Sequence, residues 1–334
     1  MGSWLRRYQH DGQRATALVC LPHAGGTAAM FSPWHALLPA DVELVGVQYP
    51  GRQDRMAEPC AENLPDVADR VAAELGELGD RSVALFGHSV GSAIAYEIAA
   101  RLERDTDLTV THLFVSGRKA PHRHHGEPDH RLADADLVAV VRRFGGDVET
   151  LDVPSLWPVI LPPLRADLRM ADRYRPTRVT ALRTPITAFG GERDHVCAPP
   201  DLETWRDATA AGFDVEVFRG GHHYLTEDAT PVVSAIVRRL RPGAAGPPRG
   251  PAVPARPPTA LEQEITVLWR KSLDVREVGA DDDFFELGGN SLIGMRIIDQ
   301  VRESYGVELS VRAFYLARTP AGVAELIEKE KVSS

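Results

Sequence analysis

Short, continuous apolar runs that stop at glycine, proline or polar residues recur along the first two-thirds of the chain: ALVCLP, VELVGVQYP, SVALFGH, THLFVSG, ITAFGG and VEVFRGG. Runs of this length and texture predict strands buried on both faces of a parallel sheet. Between them lie stretches such as residues 92–103, SAIAYEIAARLE, whose apolar positions recur at helical spacing. The alternation is β-α-β-α, so the predicted class is α/β, with ligands at the carboxyl ends of the strands. From about residue 118 to 178 the alternation breaks into LADADLVAVVRRFGG and a proline-punctuated stretch, WPVILPPLRADLRMADRY. That pattern predicts a helical insertion, with a lid over the site as its role.

Residues 241–258, RPGAAGPPRGPAVPARPP, hold seven prolines and three glycines in eighteen positions and carry no apolar periodicity. A segment like this works as a semi-rigid tether, extended by up to about 3.1 Å per residue where it adopts polyproline geometry. Beyond it, LEQEITVLWRKSL, SLIGMRIIDQVRESYG and PAGVAELIEKEK are three amphipathic helix candidates, enough for a small helical bundle. The expected organisation is therefore a domain over residues 1–240, a linker over 241–258 and a second domain over 259–334. A length of 334 residues accommodates one large and one small body.

With 43% hydrophobic and 25% charged residues the composition is that of ordinary globular domains. A formal charge of −9 opposes nucleic-acid binding, which needs basic stripes to displace counterions, and favours basic partners instead. Cys20, Cys60 and Cys197 are scattered and odd in number, so neither a disulfide framework nor a zinc site is expected. The N-terminal MGSWLRRYQHDGQRATALVCLP has no continuous apolar segment after its basic residues, and no stretch is long enough to span a bilayer. These readings point to a cytoplasmic protein that does not bind membranes.

The most informative string is Gly87-His88-Ser89-Val90-Gly91, set between the apolar run VALF and a helix. It is a G-x-S-x-G elbow in the context it requires: a sharp strand-to-helix turn that projects Ser89 Oγ from the sheet. At the helix start, the Val90 N–H points toward a developing oxyanion. A serine nucleophile needs a base, and the base needs an orienting carboxylate. Asp194, in GGERD after ITAF, and His222, in GGHHYL after VEVF, stand where the Ser, Asp, His chain order of such folds places them. Glu192 and His223 are the alternatives to each. The second oxyanion donor is expected from the loop Pro22-His23-Ala24-Gly25-Gly26, with the Ala24 N–H as candidate and His23 as either a polar wall or filling. His122, Arg123, His124 and His125 have the look of a metal tract but fit a solvated lid loop better, so no metal is expected.

PHAGG, FSPW, VQYPGRQDRMAEP, GHSVG, SGRKAP, LPPLRADL, GGERD and GGHHYL together resemble the type II thioesterases of nonribosomal peptide and polyketide assembly lines, over roughly residues 15–240. The resemblance implies an α/β-hydrolase fold and hydrolysis of acyl or aminoacyl thioesters carried on phosphopantetheine. Ser89, Asp194 and His222 match its triad. His223-Tyr224 departs from the aromatic residues more usual there, which bears on pocket shape. In the second domain DDDFFELGGNSL, residues 281–292, closely resembles the attachment site of peptidyl carrier proteins. Ser291 then matches the serine that receives 4′-phosphopantetheine, and a hydroxyl at a helix start also suits a phosphodiester physically. Residues 259–334 hold fourteen Asp/Glu against nine Lys/Arg, an acidity suited to basic docking partners. Leu292, Ile293 and Met295 stand beside the attachment site, as a docking face or as core. The implied partners are an acyl or aminoacyl thioester, a phosphopantetheinyl transferase, an adenylating or loading enzyme and the carrier domains of an assembly line. Two rival readings are an acyltransferase or cyclase passing the acyl group to an amine or alcohol, and a non-catalytic carrier and docking protein.

Overall fold

All six apolar runs form strands, and a seventh strand that the apolar pattern does not announce joins them. In the computed structural model these are β1 (Leu5–Arg7), β2 (Thr16–Leu21), β3 (Val42–Val47), β4 (Ser82–His88), β5 (Val110–Ser116), β6 (Ile186–Gly191) and β7 (Phe213–Phe218). The structure describes residues 3–8, 16–76, 81–124, 129–143, 145, 151–152, 154–241, 259–273, 275, 278–282, 284, 287, 291–310, 313–314, 317 and 319–333. The linker segment 242–258 lies outside them. Two compact units emerge, Met1–Gly243 and Ala244–Ser334.

In the first unit the strands form one sheet in the order β1-β3-β2-β4-β5-β6-β7. Every pairing is parallel except that of β1 with β3. Around the sheet lie α1 (Leu64–Gly76), α2 (Val90–Asp105), α3 (Asp134–Arg143), α4 (Trp157–Arg173) and α5 (Thr230–Leu240). Because successive strand residues face opposite ways, β2 splits its side chains between two cores. Ala17, Val19 and Leu21 pack with Val67 and Val71 of α1 and Ile94 and Ile98 of α2. Leu18 and Cys20 pack with Phe86, Phe114, Phe189, Trp34 and α5 residues Val232 and Ile236. Helices on both faces explain why the inner strands read as unbroken apolar runs. The edge strand β7 differs from that expectation: among the described residues it has a neighbouring strand on one side alone, and Val217 is 44% exposed.

The insertion is helical, built on α3 and α4 with a small apolar cluster of its own: Leu137, Val138, Leu151, Leu161 and Leu164. Ala24 packs against that cluster, so the insertion reaches the loop after β2. Helix α4 runs through Pro162 and Pro163, each of which removes an intrahelical donor.

In the second unit α6 (Ala260–Leu273), α7 (Ser291–Tyr305) and α8 (Pro320–Ser333) occupy the three stretches read as amphipathic. A reciprocal capping box opens α6: Glu262 N–H donates to Thr259 Oγ1 (3.1 Å) and Thr259 N–H to Glu262 Oε2 (2.7 Å). Ile265, Trp269, Ile297, Val301, Val323 and Ile327 close the core with Phe284 and Phe314.

Candidate active site

Strand β4 ends at His88 and α2 begins at Val90, which leaves Ser89 alone to reverse the chain. Its φ of +55° and ψ of −119° are a conformation that L residues avoid, at a cost of order 1–3 kcal/mol. The surroundings hold it there. Ser89 N–H donates to Ser116 O at the end of β5 (2.7 Å), and Ser92 N–H donates to Ser89 O (3.0 Å). The Ser92 hydroxyl lies within reach of Gly87 O (2.8 Å) and Ser116 O (2.9 Å) and accepts from Ser116 N–H (2.9 Å). Both elbow glycines are sterically required. A Cβ on Gly87 would stand 2.2 Å from Gly91 O, and one on Gly91 would stand 2.3 Å from Leu21 O.

The loops after β6 and β7 bring Asp194 and His222 together: His222 Nδ1 lies 2.8 Å from Asp194 Oδ2. The other carboxylate oxygen accepts the Val196 and Cys197 N–H groups at 2.8 and 3.1 Å, which sets its orientation. The Asp194 side chain is fully buried and His222 nearly so. Glu192 is half-exposed beside Arg193, which makes Asp194 the carboxylate that holds the imidazole. Two glycines outside the elbow make this approach possible. Gly191 lets the histidine loop come close, since a Cβ there would meet Gly221 O at 2.3 Å. Gly117, with φ of +63°, lies against the rings themselves: a Cβ would stand 2.9 Å from His88 Cε1 and 3.0 Å from His222 Cε1. The His222 and His88 rings are 4.9 Å apart, so the histidine faces the residue that precedes Ser89.

In the loop after β2, Gly25 takes φ of +77°. Its N–H donates to Asp167 Oδ2 of α4 (2.8 Å), and Gly26 N–H donates to His23 O (2.9 Å). Those two amides are engaged, and Ala24 N–H has no acceptor among the described residues. Asp167 also pairs bidentately with Arg52, at 2.6 and 2.9 Å, and Arg52 donates to Gly26 O (3.1 Å). Both side chains are buried, at 4% and 0% exposure. Burial works against the Arg52 charge, but the Asp167 carboxylate overrides it and raises the guanidinium above its usual pKa. The insertion is thereby tied to the loop that carries Ala24. Sequence reasoning did not single out Arg52, Asp167 or Gly117, although each stands in a phrase that carries the family resemblance: PGR, LPPLRADL and SGRKAP.

His23, His88 and His223 gather beside the Asp194–His222 pair. Their ring centroids are 5.9 Å (His23 and His88), 4.6 Å (His23 and His223) and 5.8 Å (His88 and His223) apart, all edge to face. Burial holds all three below the ordinary imidazole pKa, with like charge on neighbouring histidines adding to it; His223 is lowered to about 4. His88 Nδ1 lies 2.8 Å from Ser116 Oγ, which is 2.6 Å from Tyr224 OH. His122 and Arg123 form a short turn elsewhere, and His125 lies outside the described residues.

In the second unit Ser291 is the first residue of α7, a helix of 15 residues. Its side chain, residues 288–290 and the side chains of Leu292 and Met295 lie outside the described residues, whereas Ile293 packs against the core. A helix N-terminus favours the negative charge of a phosphodiester, and serine supplies the oxygen that such a linkage needs. Ser272 and Ser304 lie inside α6 and α7, Ser333 ends α8, and Ser310 Oγ accepts from Ala313 N–H. Among these described serines Ser291 is the one at the first residue of a helix.

The sheet order, with an elbow serine and a His–Asp pair at its carboxyl edge, defines the class of the α/β hydrolases. Residues 16–240 match the family model described as a thioesterase domain, and residues 263–327 match the phosphopantetheine attachment site. The chain belongs to the thioesterase family and carries a phosphopantetheine-bearing domain behind the enzyme. Among its relatives is thioesterase PikA5 of Streptomyces venezuelae, 35% identical over 271 residues, or 80% of this chain and 95% of the relative. A probable cadicidin biosynthesis thioesterase of Streptomyces griseus is 38% identical over 73% of this chain and 68% of its own length. The solved structure of the type II thioesterase BorB, from the borrelidin biosynthetic cluster, superposes with a TM-score of 0.66 at 37% identity, covering 72% of this chain and all of that one, 100%. The protein is a thiolester hydrolase with a fused carrier domain, and 4′-phosphopantetheine is its covalent cofactor. Among the described residues no helix is long and apolar enough to cross a membrane.

Proposed function

We propose that Ser89, His222 and Asp194 are the nucleophile, base and orienting carboxylate of a hydrolase that releases acyl and aminoacyl groups from carrier thioesters in secondary-metabolite assembly. The observation that carries this reading is the buried 2.8 Å bond between His222 Nδ1 and Asp194 Oδ2 at the same sheet edge as the strained Ser89 turn. A carboxylate at Nδ1 selects the Nδ1–H tautomer and leaves the ring's lone pair on Nε2, where a base is needed. When bound, the phosphopantetheine arm supplies the thiol that carries the acyl group as a thioester. Ser89 Oγ attacks the thioester carbonyl as His222 takes its proton, and Ala24 and Val90 N–H groups hold the oxyanion. The C–S bond then breaks, and His222 returns the proton to the departing thiol. His222 next takes a proton from water as the hydroxide adds to the acyl-serine, and it returns that proton to Ser89 Oγ as the ester C–O bond breaks, which frees the acid and restores Ser89 and His222.

The domain limits we assign are 1–240 for the hydrolase with its insertion at about 118–178, 241–258 for the linker and 259–334 for a peptidyl carrier. Ser291 receives the arm from a phosphopantetheinyl transferase, and an adenylating enzyme loads it. Coenzyme A as arm donor and ATP-driven loading place this work in the cytoplasm. Ser89→Ala is expected to lower kcat on an acyl-phosphopantetheine mimic at least about a thousand-fold without changing the fold, and His222→Ala nearly as much. Turnover near wild type in folded Ser89→Ala refutes the triad. Incubation with a phosphopantetheinyl transferase and coenzyme A is expected to add one arm per chain, none in Ser291→Ala, as read by intact-protein mass spectrometry.

A further inference from the structure

Each member of the histidine group is the chain neighbour of a residue assigned above to catalysis: His23 precedes Ala24, His88 precedes Ser89 and His223 follows His222. The end of strand β4 and two separate loops therefore present one imidazole each to a common point. One ring nitrogen of each lies within 4.8 Å of the other two. Such a triangle has its centre about 2.8 Å from each corner, about 0.7 Å beyond a zinc–nitrogen bond, a gap that small ring rotations close. One buried nitrogen of the group, His23 Nδ1, hydrogen-bonds to nothing among the described residues. Buried polar atoms are nearly always partnered, so an orphan on a ring beside two others points to a ligand that accepts a lone pair. His88 also has the backing that metal-bound histidines carry: its Nδ1 is held by Ser116 Oγ, itself held by Tyr224 OH. His23 is only partly buried, which provides an entry.

We propose that His23, His88 and His223 bind a single divalent transition-metal ion, zinc above all, and that its capture arrests the hydrolase. Three neutral imidazoles with an open fourth position suit zinc and cobalt and disfavour magnesium and calcium, which take oxygen ligands. The arrest rests on the hydrolytic reading given above; the binding does not. It follows from geometry: drawing three rings onto one ion pins the segments that carry Ala24, Ser89 and His222, and the His222 and His223 rings are 5.2 Å apart.

The test uses the full chain without a polyhistidine tag, stripped by chelator and titrated with Co2+. The expected result is the visible absorption of cobalt in a four- or five-coordinate site, saturating at one ion per chain and displaced by Zn2+. His223→Phe, which keeps an aromatic ring, and His23→Gln are each expected to weaken Co2+ binding at least about ten-fold, with thermal unfolding confirming the fold. No such band in the wild type, or a folded variant that takes up Co2+ at the same concentrations as the wild type, overturns the site. If one variant fails to fold, the other decides. Micromolar Zn2+ is expected to inhibit thioester hydrolysis by the wild type and not by the variants, each compared with its own metal-free rate. Normal hydrolysis in the zinc-loaded wild type overturns the arrest, and a wild type inactive without metal refutes the hydrolytic reading while the cobalt spectra still decide the site.

Discussion

Replacing Asp167 by leucine tests whether the insertion governs the oxyanion loop, because this carboxylate holds both Arg52 and Gly25. The substitution leaves the Arg52 guanidinium at 4% exposure with Gly26 O as its remaining acceptor in the described contacts. An uncompensated buried charge of this kind costs about 3–5 kcal/mol, and the orphaned Gly25 N–H adds about 1–3 kcal/mol. In a unit of this size each kcal/mol lowers Tm by about 2–4 °C, so a fall of at least about 8 °C is expected. Converting Arg52 to methionine as well removes the stranded charge. The double variant is expected to recover about 3 kcal/mol or more, because an apolar pair of similar volume often matches a buried ion pair in stability.

Activity separates the two effects. In both variants Gly25 loses the acceptor that positions the loop of Ala24, so kcat is expected to fall about ten- to hundred-fold, short of the loss from removing an oxyanion donor outright. Thermal unfolding and initial rates on one acyl thioester, measured for both single variants and the double, complete the cycle. A double variant with wild-type kcat refutes the link from the insertion to the oxyanion loop. Asp167→Leu with an unchanged Tm refutes the energetic argument.

Gly117→Ala places a methyl 3.0 Å from His222 Cε1 on a backbone with φ of +63°, and is expected to displace the imidazole and cut kcat at least about a hundred-fold; hydrolysis at the wild-type rate sinks this role. Burial lowers His112 to about 4, beside Thr187 Oγ1, below its unfolded value near 6.5. The unfolded chain therefore binds the extra proton first, and the stability this neutral histidine contributes above pH 6.5 is lost as pH falls toward 4. Between pH 7 and 4.5 the loss is about 2–3 kcal/mol, so His112→Asn is expected to show a shallower acid dependence of Tm; parallel curves for the two proteins count against it.

Local patterns carried the sheet, the elbow and the three carrier helices, because each rests on residues close in sequence. Six strands were visible as apolar runs since helices cover both faces of the sheet. β1 was not: LRR has no apolar run, and it is a strand because Arg7 reaches Glu43 and the β3 edge lies open beside it. β7 read as buried because VEVF is apolar by composition, whereas its place at the sheet edge leaves Val217 in solvent. Asp194 and His222 were legible through strand order, which is a property of the fold more than of their neighbours.

What stayed hidden is what the fold assembles across long separations. Arg52 and Asp167 are 115 residues apart, and nothing near either marks it as half of a buried pair among 47 acidic and 38 basic residues. The histidine group is hidden for a different reason. His122 to His125 drew attention by adjacency, yet the residues that meet come from the end of strand β4, at 88, and from two loops, at 23 and 223. On the proposed mechanism these segments converge because a nucleophile, its base and its oxyanion donors must converge, so any side chain next to them in sequence is brought along. A sheet edge of this design gathers the chain neighbours of its working residues around them, and where those neighbours are imidazoles they acquire a chemistry of their own.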